Sequence, residues 1–178
     1  MSELRTNKIY PRDGLPAGAS GGGIVQVVNS VFDDRYETSS HTTFTDTGLT
    51  ATITPTSSSN KILLLISVGG VAARLGNLHQ EPDLRVVRGA TTVATFSNII
   101  KEGGTNFWIP KDGDTARFTK TIIDTPATTS SVTYKIQIRG NTSTSGTMSV
   151  AINSIGGGSY EGETGGGGSS ICLMEVSG

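Results

Sequence analysis

The side chains in this 178-residue sequence that could do chemistry are few and scattered. His41 and His79 stand far apart and show no metal-ligand spacing. Cys172 lies in the apolar stretch ICLMEV with no histidine beside it to draw off its proton, so it reads as a small hydrophobe in a strand. No serine occupies a G-x-S-x-G turn. Asp112-Gly113-Asp114 sets two carboxylates in a glycine turn, the simplest ligand set for a hard cation. The further acids of an EF-hand loop are missing, and a solvated turn is the favoured reading. Glu161 and Glu163 could serve as acid and base on a glycan, or merely keep a flexible loop in water. Gly165 to Gly168 lacks the Lys-Ser/Thr and helix of a phosphate loop, so it suits a backbone that approaches a neighbouring loop or a ligand closely. Asn106, Phe107, Trp108 and Tyr160 carry the amide and aromatic groups that bind sugars, although Phe107 and Trp108 would equally plug one end of a core. The expectation is a protein that binds rather than catalyses, with no cofactor and no metal.

Charge narrows the partners. Fourteen Lys plus Arg are spread singly among 15 Asp plus Glu for a net −1, so no basic face is offered to a phosphate backbone and nucleic acid is not an expected partner. No segment approaches the roughly 18 apolar residues that cross a bilayer, so no membrane insertion is expected. MSELRTNKIYPRDG has no apolar core for a signal peptide, and the chain is expected to carry no secretion address. The sequon Asn141-Thr142-Ser143 then reads as a plain turn.

The elements that must position these groups are strands. The sequence holds 25 Thr, 20 Ser and 24 Gly without helical leucine periodicity, which is the composition of exposed strands and tight turns. Between Phe44 and Ser67, Leu49, Ala51 and Ile53 alternate with threonines, Pro55 and the serines at 57–59 end the strand, and Ile62 to Ile66 follows without a polar break. That unbroken run predicts a strand buried on both faces. Further strands are expected at 24–32, 84–87, 92–96, 118–123, 132–138, 148–152 and 171–176, making nine in about 155 residues. One sandwich or barrel domain over 24–178 follows. Val132, Tyr134, Ile136 and Ile138 alternate with Thr133, Lys135, Gln137 and Arg139, giving one strand an apolar and a charged face. Residues 1–23, broken repeatedly by Pro and Gly, form no core; they read as a disordered leader or, the favoured reading, as an extended arm that a partner orders. Stretches 73–82, 101–115 and 156–170 read as long loops, where binding usually resides.

With the strands placed, ITPTSSSNKILLLISV, DLRVVRGATTV, SVTYKIQI and the closing SSICLMEVSG resemble a group of bacteriophage tail-fibre and virion structural proteins. The leader TNKIYPRDGLPAGASGGGIVQVV is similar to the short attachment arms of that group, so the resemblance spans residues 5–178. It implies an all-β, antiparallel jelly-roll-like β-sandwich with an extended N-terminal arm, assembled as a homotrimer in the virion. Lys135 and Arg139 would then find partners across a subunit boundary. Virion attachment falls to the arm, at Ile9, Tyr10, Pro11 and Arg12, and contact with a host-surface glycan or outer-membrane component to Asn106, Trp108, Asp112, Asp114, Tyr160, Glu161 and Glu163. A head-decoration, cement or tail-adaptor protein is the alternative within the virion; a carbohydrate-binding module or glycan hydrolase is the alternative outside it.

Overall fold

A computed structural model describes residues 23–74, 82–97, 99, 116–141, 149–154 and 168–177. Every regular element among them is a strand: β1 (Ile24–Phe32), β2 (Tyr36–Thr38), β3 (Thr45–Ile53), β4 (Lys61–Arg74), β5 (Pro82–Arg88), β6 (Thr91–Phe96), β7 (Ala116–Asp124), β8 (Val132–Gly140), β9 (Ser149–Ile152) and β10 (Ser169–Val176). Period-two patterning builds them. Leu49, Ala51 and Ile53 of β3 point inward while Thr50 and Thr52 face water, and Tyr134, Ile136 and Ile138 do the same on β8.

All pairings are antiparallel and fall into two sheets. One runs β1-β10-β4-β7, with β9 and then β2 added at the far end of β4; the other runs β3-β8-β5-β6. Without the short β2 and β9, this is the strand order of an eight-stranded jelly roll, in which chain neighbours repeatedly cross to the opposite sheet. The expected antiparallel jelly-roll sandwich is therefore the fold. Its core interleaves Leu49, Ile53, Leu84, Ile136 and Ile138 from one sheet with Ile62, Leu64, Ile171 and Leu173 from the other.

Most strands extend a residue or two beyond an expected end, β3 begins at Thr45, four residues early, and the largest departures are β2 and the far end of β4. The three-residue β2 has too short a pattern to announce itself, and β4 runs on to Arg74 because it changes partners, leaving β7 and β10 for β9. Gly70 makes that switch possible. Its φ is +54°, and a Cβ there would sit 2.3 Å from the Ser154 carbonyl oxygen, whose own residue donates its N–H to the Gly70 carbonyl at 3.1 Å.

The unbroken run in β4 is not buried on both faces. Ile62, Leu64 and Ile66 are in the core, but Leu63 is half-buried and Leu65 is 37% exposed, because nothing in the chain's described residues covers the outer face of their sheet.

Candidate functional site

Antiparallel pairing fixes which end of the sandwich each connection occupies. Ile24 pairs with Val176, Val176 with Lys61, Ile62 with Asp124 and Ile53 with Val132, which gathers the starts of β1, β4 and β8 and the ends of β3, β7 and β10 at one pole. Gly23 is tied down there by the Ser177 N–H, which donates to its carbonyl at 3.0 Å, while its own N–H donates to Ser177 Oγ at 2.9 Å. Gly23, the first described residue, is therefore at this pole. At the opposite pole Thr45 pairs with Ile138, Pro82 with Gly140, Leu84 with Phe96, Arg74 with Ser149 and Phe32 with Ser169. Phe96 and Ala116, which anchor the connection carrying 101–115, lie at this second pole, as do Ser154 and Gly168, which anchor the glycine-rich stretch.

The sequence-derived site residues themselves fall outside the described residues. This applies to Ile9, Tyr10, Pro11 and Arg12 of the arm, to Asn106, Trp108, Asp112 and Asp114, and to Tyr160, Glu161 and Glu163. What the structure supplies is the placement of their anchors. His41 is exposed near the loop pole, and Cys172 sits half-buried on the outward side of β10. Among the described residues no three His, Cys, Asp or Glu side chains gather as a metal site.

Near the loop pole the outer face of β3-β8-β5-β6 carries a charged lattice that sequence alone did not assemble. The Phe44 ring lies between two guanidinium groups, with Arg85 Cζ 4.4 Å and Arg139 Cζ 4.5 Å from its centroid. Arg139 donates to the fully buried Asp83 carboxylate at 3.0 Å, Arg85 donates to Gln137 at 2.6 Å, and Lys135 and Gln137 both donate to Asp46. The Lys135 bond, seconded by that from Gln137, holds the Asp46 carboxyl below its ordinary value. Lys135 and Arg139 thus meet counter-ions inside the chain, on β3 and β5. The period of two in β8 revealed the two cations, but their partners Asp46 and Asp83 are paired by cross-strand register, which no local pattern shows.

At the arm pole a buried carboxylate closes the base of the sandwich. Burial alone would push the Glu175 carboxyl up. Hydrogen bonds from Asn60 first, then Gln26 and the Thr56 amide and hydroxyl, instead hold it at about 2. The 55–60 turn is in this way fastened to the last strand, and its Thr/Pro/Ser composition is explained by a structural task.

No family model matches the chain, and no curated protein matches it in sequence. Among solved structures it is similar to one described as the infectious bursal disease virus VP2 subviral particle. The identity is 15% and the TM-score 0.36, over 86% of this chain and 42% of that one. The chain thus spans less than half of that protein's length. The jelly-roll assignment rests on the strand order.

Proposed function

We propose that this chain is a structural protein of a bacteriophage particle, of the tail-fibre or receptor-binding kind. It assembles as a homotrimer, attaches to other virion proteins through residues 1–23, and meets a host-surface glycan or outer-membrane component with the connections 101–115 and 156–170. It acts by binding, without a chemical step. The motifs around ITPTSSSNKILLLISV and SSICLMEVSG support the virion assignment by resemblance.

One observation carries the division of labour. The arm joins at the pole where Gly23 meets Ser177, and the anchors of both binding connections stand at the opposite pole. A nine-residue strand separates the poles by about 30 Å. A protein held at one end and reading a surface with the other is the use this geometry favours.

The test is adsorption. Purified protein is expected to compete with infecting particles for host cells, and antibody against it to label the distal part of the tail. Labelling of the head, with no competition, would replace this reading by that of a decoration or cement protein.

A further inference from the structure

We infer that the outer face of the β1-β10-β4-β7 sheet, together with the free edge of β1, is the surface by which this chain associates with further copies of itself. The inference deepens the self-assembly in the proposed function and rests on that part of it alone.

Residues paired across antiparallel strands share a face, so the outer surface can be read row by row. Val27, Met174, Leu63 and Ile123 form one row across all four strands; Asn29, Cys172, Leu65 and Thr121 form the next; Val31, Ser170, Ser67 and Thr119 the third. These twelve side chains include no charge, and the first row is wholly apolar. Val27 is 54% exposed, Val31 58% and Ile123 64%. The other sheet's outer face is the reverse, carrying Asp46, Asp83, Arg85, Lys135 and Arg139. The uncharged rows are bordered by cations, with Arg117 donating to Ser67 and Lys61 and Lys120 exposed at the margin; a charge-free centre inside a charged rim is the anatomy of an interface patch.

Beside this face β1 is an edge strand, nine residues long, with no second ladder neighbour among the described residues. An uncovered apolar edge of that length is an aggregation liability unless an assembly covers it. Size agrees with that use. Four strands about 4.8 Å apart and seven residues of about 3.3 Å each give a face of roughly 440 Å², and the β1 edge, about 30 Å by 10 Å, adds roughly 300 Å². The sum approaches the roughly 800 Å² per partner of a stable protein interface.

The occupant is a second copy because the face carries both a projection and a recess. Ile123 stands out at one side, while a groove of about 520 Å³ is lined by Leu65, Thr121, Ser170 and Cys172, with Lys120 in its wall. Repetition of one such surface around a symmetry axis lets each copy offer what the next requires.

Size-exclusion chromatography with light scattering on the full chain at tens of micromolar tests this. The expected result is a multiple of the one-chain mass that is lost in Ile123→Lys and Leu63→Glu but kept in Thr50→Glu, on the opposite face. Cys172, the chain's one thiol, gives a readout that needs no folded variant: it should react slowly with a thiol reagent in the assembly and faster as dilution dissociates it. A one-chain mass for the unaltered protein overturns the inference. A one-chain mass with a slow Cys172 overturns it in favour of residues 1–22 lying over the face. An assembly that Ile123→Lys and Leu63→Glu leave intact, with Cys172 freely reactive, overturns it as well. A monomer that still labels particles removes this interface and leaves virion attachment standing.

Discussion

Asn60 donates its side-chain amide to the Glu175 carboxylate at 2.6 Å, joining a surface turn to a strand 115 residues later. The same carboxylate accepts the Thr56 amide at 2.7 Å, the Thr56 hydroxyl at 2.9 Å and Gln26 Nε2 at 2.5 Å. Four donors on one buried anion make it the polar keystone of the arm pole. Glu175→Gln, which turns a donor of its own toward those donors, is expected to cost about 2–4 kcal/mol in urea denaturation.

The acid limb of stability should carry the same signature. Glu175 titrates at about 2 in the folded chain against an ordinary 4.5, so the folded state favours its ionised form. Its contribution is present in full above about pH 4.5 and drains as pH falls toward 2. Denaturation midpoints of wild type and Glu175→Gln measured from pH 7 down to 2.5 should converge through that window. A gap that stays constant would show that the carboxylate does not act through its charge.

Tyr134 and Arg88 share one acceptor. The phenol donates to Asp124 Oδ2 at 2.8 Å and Arg88 Nε to the same oxygen at 2.7 Å, linking the two sheets near the arm pole. Burial, then the bond to Asp124, raises the Tyr134 phenol above its ordinary 10. A raised folded value means that the contribution is present below about pH 10 and lost as pH rises beyond it. Tyr134→Phe is expected to lower stability by about 1–2 kcal/mol at neutral pH. In alkaline titration, the variant should lack a phenolate signal that in wild type is displaced above the ordinary tyrosine range.

Strand patterning carried most of this fold into view from sequence, and its failures have physical causes. Alternation at Leu49 to Ile53 and Val132 to Ile138 located β3 and β8 because each has one wet and one dry face. The run Ile62 to Ile66 signals two dry faces, yet the isolated chain has a core on only one side of it. Periodicity reports what a strand is built to touch, including what another copy would supply. The Asp83 to Arg139 pair was invisible for a different reason: its members lie 56 residues apart and meet only through register. For the candidate site, sequence named residues and the structure placed their anchors at one pole.

Gly70 should tolerate no side chain. Its φ of +54° disfavours any L residue, and an added Cβ would lie 2.3 Å from the Ser154 oxygen and 2.5 Å from its nitrogen, both backbone atoms that cannot swing aside. Gly70→Ala is expected to cost about 2–4 kcal/mol. Gly89, also at positive φ but with open space around it, is the control, and Gly89→Ala should cost about 1 kcal/mol. Thermal melts of the two variants compare steric and conformational terms directly; equal costs would mean that the β4 switch relaxes around the methyl group.

The two poles should be separable by mutation. Perturbations more than about 10 Å apart act independently unless a shared element couples them, and the poles lie about 30 Å apart across the strands. Tyr10→Ala with Arg12→Ala is therefore expected to reduce incorporation into particles while leaving cell binding by the purified protein unchanged. Trp108→Ala with Tyr160→Ala should do the reverse. Thermal midpoints of both double variants, measured beside wild type, separate a loss of binding from a loss of folding. If both pairs reduced incorporation and cell binding together with unchanged midpoints, the arm and the loops would be serving one surface, and the proposed division between attachment and recognition would be wrong.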